Sequence, residues 1–208
     1  MLASKPYVIG LTGGIGCGKS EAAQYLKSLG AAHVDADAIS RELTAEGGEA
    51  LGEIRRVFGD AAFLPDGALD RASLGRLVFS NEPARRALEG IMHPLVQRTM
   101  LLRMDAAAEA GAPVVILDVP LLFETGMDAL CDETWTLYVD RETQIARVVA
   151  RDGLSREDAE ARVDSQMSTD ERNARATHAI DTNRPVERTR AELEQLYRAA
   201  VKRAGTRE

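Results

Sequence analysis

The spacing of apolar positions divides the chain into alternating strand and helix segments. Tyr7-Val8-Ile9-Gly10-Leu11 reads as a strand, a glycine-rich turn follows, and Ala22, Tyr25, Leu26 and Leu29 then share one helical face. Gly30 stands where a glycine commonly ends a helix. Ala32-His33-Val34 predicts a second short strand that runs into Asp35-Ala36-Asp37. From Arg41 to Gly111 the period is helical. Leu51, Ile54, Val57 and Phe58 share a face, Leu74, Leu77 and Val78 follow a start at Asp70, and Leu95 to Ala110 follow His93-Pro94. The turn Pro65-Asp66-Gly67 separates the first two of these helices. Val114-Val115-Ile116-Leu117 is a continuous apolar run suited to a strand buried on both faces, and Thr134 to Val139 predicts another. After Asp140 come a helix through Arg151 and a charged segment, Asp152 to Arg175, that reads as a helical hairpin. A short strand near His178-Ala179-Ile180 and a terminal helix carrying Leu193, Leu196, Tyr197 and Ala200 complete the chain. The expected class is α/β: a parallel sheet flanked by helices, with a helical insertion between the second and third strands.

Composition narrows the partners. The 208 residues carry a formal net charge of −7, which argues against a general nucleic-acid binder, since affinity for phosphodiester backbones rests on a basic surface. Two cysteines, Cys17 and Cys131, are too few for a disulfide framework, and the first residues lack the apolar stretch of a leader. The longest apolar segment, Val114 to Phe123, is interrupted by Asp118 and is far shorter than a bilayer span. The expectation is a cytoplasmic protein in a reducing compartment, without membrane or nucleic-acid partners, and a monomer or weak homo-oligomer.

Gly13-Gly14-Ile15-Gly16-Cys17-Gly18-Lys19-Ser20 matches G-x-x-x-x-G-K-[ST], directly after a strand and opening a helix. Glycines let successive backbone N–H groups turn onto an anion, and the helix N-terminus adds its positive end. Lys19 would bridge the β- and γ-phosphates, and the Ser20 hydroxyl would ligate Mg²⁺. Nucleoside triphosphate binding follows. Only four of the 26 basic residues are lysines, and one of them holds the motif position that needs a slim ammonium.

The remaining residues choose among nucleotide proteins. A switch GTPase would want Asn-Lys-x-Asp, but none of the four lysines follows an asparagine. A motor ATPase would want an acid after the metal-side aspartate, where Val119 stands. A phosphotransferase needs a carboxylate to take the proton of an acceptor hydroxyl. Asp35 and Asp37 lie at the C-terminal end of the second strand, where open α/β sheets place ligands. One of the two would face the site and the other cap the next helix, or both would be caps. Asp118, at the end of the next apolar strand, is a candidate for Mg²⁺ coordination, direct or through water. Arg147 and Arg151 share a helix face, as do Arg162 and Gln166. They would either neutralise the transferring phosphoryl from a closing lid or form surface ion pairs with nearby acids.

Leu11 to Ser20, Asp35-Ala36-Asp37 with Arg41, His93-Pro94-Leu95-Val96, Asp118-Val119-Pro120-Leu121-Leu122-Phe123-Glu124, and then Arg147, Arg151, Arg162 and Gln166 together resemble the dephospho-CoA kinase family from about residue 7 to 200. The resemblance implies transfer of the ATP γ-phosphoryl group to the 3′-hydroxyl of the ribose of dephospho-CoA, with Mg²⁺. It also implies a nucleotide-binding core from residues 1–40, 112–150 and 176–208, a helical substrate domain over 41–111 and a lid over 151–175. By position, Asp37 is the expected general base, with Lys19 and Arg147 serving the transferring group. Gly14, Ile15, Gly16, Cys17, Gly18, Lys19, Ser20, Glu21, Arg147, Arg151 and Arg184 are the ATP side. Arg41, His93, Pro120, Leu121, Leu122, Glu124 and Arg162 join Asp37 on the acceptor side, and Ser20 and Asp118 are the metal candidates.

Three positions depart from the family pattern. Glu21 replaces a threonine after Lys-Ser and must point away from phosphates. Cys17 replaces a serine, and its place beside Lys19 and a helix N-terminus predicts a lowered thiol pKa and sensitivity to oxidation. In the loop near the adenine, Thr182 and Arg184 replace Asn and Gly, leaving Arg184 as a candidate to stack on the base.

Overall fold

A computed structural model describes residues 6–206; the leader expectation falls largely on Met1 to Lys5, outside the described residues. The strands are β1 (Tyr7–Gly13), β2 (Ala32–Asp35), β3 (Val114–Asp118), β4 (Glu133–Tyr138) and β5 (His178–Asp181). The helices are α1 (Lys19–Ser28), α2 (Ala36–Leu43), α3 (Leu51–Phe58), α4 (Arg71–Ser80), α5 (Glu82–Glu109), α6 (Arg141–Asp152), α7 (Arg156–Asp164), α8 (Thr169–Arg175) and α9 (Val186–Ala204). The chain falls into two compact units, Asp35–Arg103 and the remainder.

The larger unit is built on a five-stranded sheet in the order β2-β3-β1-β4-β5. β1 runs parallel to both β3 and β4, and β4 runs parallel to β5. The apolar runs become central strands because both faces are covered: every residue of β1 and of β3 is buried. Ile9, Leu11, Leu26, Trp135, Leu137 and Leu193 belong to one core cluster between sheet, α1 and α9. Each large side chain so buried contributes about 2 kcal/mol. A smaller cluster of Ile145, Val148 and Ala159 fastens α7 to α6. Helix α1 stops where its sequence directs. Ala31 N–H returns to the Leu26 carbonyl at 3.2 Å and Gly30 N–H to the Lys27 carbonyl at 3.0 Å, with Gly30 at φ 102°.

The unit Asp35–Arg103 is helical, with Ile39, Ile54, Leu74 and Met100 among its buried residues. Asp70 starts α4 as expected, its carboxylate accepting from Ser73 N–H at 2.9 Å. Helix α5 corrects the sequence reading. It does not begin after His93-Pro94 but runs 28 residues, with Pro94 inside. Proline removes one donor, that for the carbonyl of Gly90 four residues back. The Ala-, Arg- and Leu-containing turns on either side carry the helix past that single loss.

Candidate functional site

The motif predicted for phosphate binding lies at the end of β1, next to both neighbouring strands of the sheet. Gly16 and Gly18 stand at φ 78° and 81°, a left-handed conformation that costs little only for glycine. Gly18 is the N-cap of α1 and no side chain caps that helix, so the orphan N–H groups of its first turn are left for an anion. Thr182 Oγ1 lies 3.1 Å from the Cys17 carbonyl and 3.0 Å from that of Tyr138, tying the loop to the segment after β5. Ile15 N–H donates to Gln166 Oε1 at 2.8 Å.

Lys19 is ion-paired with Asp118 at the end of β3. Asp118 is only 4% exposed, and its second oxygen lies 3.2 Å from His33 Nε2. Burial alone would raise its carboxyl pKa; the hydrogen bond with His33 and the Lys19 ammonium outweigh burial and hold it below the ordinary value. Asp118 therefore stays anionic near neutral pH. Together with the exposed Ser20 at the head of α1 it offers the hard oxygen donors that suit Mg²⁺.

A cavity of about 360 Å³ opens beside the loop, lined by Gly16, Tyr25, Arg147, Thr182, Arg184 and Arg190 among others. Arg147 reaches the loop itself, donating to the Gly16 carbonyl at 3.1 Å and to the Thr182 carbonyl at 3.3 Å. Arg184 lines the same cavity while paired with Glu192. Glu21 pairs with Arg190 at 3.1 Å, which accounts for an acid beside a phosphate loop. Arg151 and Arg162 are engaged with a carboxylate: both bind Asp152, at 2.7 and 3.1 Å.

Cys17 does not bear out its expectation. It is 1% exposed, and burial raises its thiol pKa, with Arg172 and Arg147 only partly offsetting it. Proximity to a lysine and a helix end had predicted the opposite; desolvation of the thiolate is the larger effect. Leu122, expected on the acceptor side, is 0% exposed. Its methyls pack where a Cβ on Gly10 would stand, so it is a core residue, whereas its neighbours Leu121 and Glu124 are exposed.

Of the aspartate pair, Asp35 is the cap: its carboxylate accepts from Ala38 N–H at 2.9 Å. Asp37 lies in the first turn of α2, with Arg41 in the last turn, and His93 is an exposed residue of α5. Sequence reasoning passed over His33, which gave no signal beyond a place in a strand. It also passed over Arg172, whose burial is a tertiary property invisible to charge spacing.

The model of the dephospho-CoA kinase family matches residues 7–187. The dephospho-CoA kinase of Symbiobacterium thermophilum is 48% identical over 93% of this chain and 81% of its own length. That of Geobacter sulfurreducens is 43% identical over 91% of this chain and 96% of its own. Among solved structures, TT1252 from Thermus thermophilus superposes with a TM-score of 0.80 at 37% identity, covering 93% of this chain and 97% of that one. Dephospho-CoA kinase from Campylobacter jejuni gives 0.70 at 28%, covering 94% and 97%. Matching over nearly its full length in family model, sequence and fold, and carrying the phosphate loop with its lysine paired to a buried aspartate, this chain belongs to the dephospho-CoA kinase family.

Proposed function

We propose that the chain transfers the γ-phosphoryl group of ATP to the 3′-hydroxyl of the ribose of dephospho-CoA, with Asp37 as the general base for that hydroxyl. The observation that carries the reading is the pairing, at adjacent strand ends, of the phosphate-loop Lys19 with the buried Asp118. The loop N–H groups and Lys19 hold the polyphosphate, and Arg147 steadies the loop while adding charge beside it. Ser20 and Asp118 would hold Mg²⁺, which neutralises charge on the phosphates when bound. The cavity beside Arg147 and Arg184 takes the adenine. Arg41, His93, Pro120, Leu121, Glu124 and Arg162 are assigned to the acceptor, on which the motif positions bear.

The test is a coupled ADP-release assay with dephospho-CoA, AMP, shikimate or no acceptor, with and without Mg²⁺. ADP formation that depends on dephospho-CoA and Mg²⁺ is expected. Equal turnover with AMP or shikimate would make this a kinase of another small metabolite, and acceptor-independent turnover a nucleotide hydrolase. Asp37→Asn is expected to lower kcat by about three orders of magnitude while leaving ATP affinity within threefold.

A further inference from the structure

Arg172, on α8, is 4% exposed and no carboxylate among the described residues pairs with it. Its hydrogen bond goes to a neutral group, the Met167 carbonyl, at 2.6 Å. Four other arginines of α6 and α7 each have a carboxylate partner. Arg151 and Arg162 share Asp152, Arg141 binds Asp164, and Arg156 binds Glu142. A guanidinium taken out of water without an anion is costly, and a fold keeps one only where something offsets that cost.

The surroundings of Arg172 identify what does. Its Nη1 lies 3.2 Å from where a Cβ on Gly14 would stand, and Gln144 Nε2 and Cys17 Sγ converge on the same point at 2.5 and 3.4 Å. The side chain is thus packed against the phosphate loop at Gly14, where a Cβ would displace Gln144 and crowd Arg172. Arg172 also lines a cavity of about 600 Å³ together with Gln144, Gln166 and the carboxylates Asp140, Asp164, Asp170 and Asp181, none of which is within ion-pair distance of it, and Gln166 is the residue that accepts the Ile15 N–H of the loop. Lys19, by contrast, is already neutralised by Asp118. Among the described residues, the buried cation with no carboxylate in ion-pair contact is therefore the one packed against the loop that receives a polyanion.

We propose that Arg172 is a positioning residue for nucleotide binding: it sets the positive potential of the phosphate loop through Gly14, and the bound polyphosphate supplies its missing counter-charge. This rests on the reading of the loop as the ATP site. The charge is uncompensated until ATP binds, so the arginine costs stability in the free protein and returns it in the complex. Arg172 then links occupancy of the loop to the packing of α8, since the same guanidinium holds the α7–α8 connection at Met167.

The experiment compares wild type, Arg172→Lys and Arg172→Gln by calorimetric titration with Mg-ATP and by thermal melts with and without it. Arg172→Gln is expected to weaken ATP binding on the order of tenfold and to shrink the ATP-induced rise in Tm, while the ligand-free Tm stays the same or rises. Arg172→Lys, which keeps the charge, is expected to retain affinity within about threefold of wild type. An ATP affinity for Arg172→Gln within twofold of wild type overturns the proposal, whatever happens to its ligand-free Tm. Equal weakening in Arg172→Lys and Arg172→Gln also overturns it, because geometry and not charge would then be what matters. If wild type itself fails to bind Mg-ATP, the assignment of the loop as an ATP site fails, which is a separate result.

Discussion

One carboxylate, Asp118, joins two side chains: Lys19 pairs with one of its oxygens and His33 Nε2 stands 3.2 Å from the other. Asp118→Asn removes a buried charge whose partner then has none, and such changes cost about 3 kcal/mol. A matching fall in stability to urea is expected, with kcat lowered by at least two orders of magnitude because Lys19 loses its anchor. Stability reduced without loss of turnover would leave Asp118 a structural role alone.

The same carboxylate sets an acid limit. Its folded pKa lies below the ordinary 3.8, so its contribution to stability is fully present above the unfolded value and lost as pH falls through the folded one. Wild-type Tm should therefore drop on going from about pH 4 towards pH 2, and the drop should be shallower in Asp118→Asn. Parallel curves for the two proteins would assign acid unfolding to other carboxylates.

Arg147 joins two backbone carbonyls that no other described side chain joins, Gly16 of the loop and Thr182 after β5. Losing both charge-assisted bonds at a half-open site predicts a rise in the KM for ATP of about tenfold in Arg147→Ala, with a smaller rise in Arg147→Lys. The KM for dephospho-CoA should change less than twofold. Steady-state kinetics with each substrate varied in turn decides the point.

What the sequence disclosed followed local rules. The loop from Gly13 to Ser20, the Gly30 stop, the Asp70 cap and the buried strand Val114 to Leu117 each depend on residues close in sequence, and each stands where the pattern placed it. What it withheld depends on tertiary burial. The Pro94 rule yielded to the helix formers around it and the Cys17 thiol to desolvation; helical spacing of arginines pointed to Arg147, which reaches the loop, but gave no sign of the buried Arg172. Leu122 was grouped with its exposed neighbours by motif alone, yet one residue of shift along a turn separates core from surface.

Cys17 supplies a direct test of that burial. With its thiol pKa raised and its side chain almost wholly covered, it should resist iodoacetamide at pH 8 in the native protein and react only on unfolding. Cys131, pushed up to about 12 by burial and the nearby Asp128 and Asp132, should behave likewise. Native mass spectra are expected to show neither thiol alkylated, and Cys17→Ser should keep turnover within about threefold. Rapid labelling of Cys17 that ATP prevents would instead restore the idea of an oxidisable thiol in the site.

Away from the site, Glu133 is the acid on which the far end of the larger unit depends. It opens β4, is 6% exposed, accepts from Tyr7 Oη at 2.6 Å and Trp135 Nε1 at 2.9 Å, and is ion-paired with Arg203 Nη2 at 2.8 Å. A first residue of β4 is thereby joined to the start of β1 and the last turn of α9. Glu133→Gln removes the charge that Arg203 faces, and with its oxygen kept for Trp135 N–H its NH2 meets Tyr7 Oη, which must then accept and leave its own proton without the carboxylate. The expected cost is about 2–3 kcal/mol, read as a lower urea midpoint with unchanged slope and with the KM for ATP unaltered. Arg203→Met should cost less, about 1 kcal/mol, because its guanidinium remains partly in water. In the double variant the two losses should fall short of adding, by the part they share. Strict additivity would mean that the network is held by Tyr7 and Trp135 without the arginine.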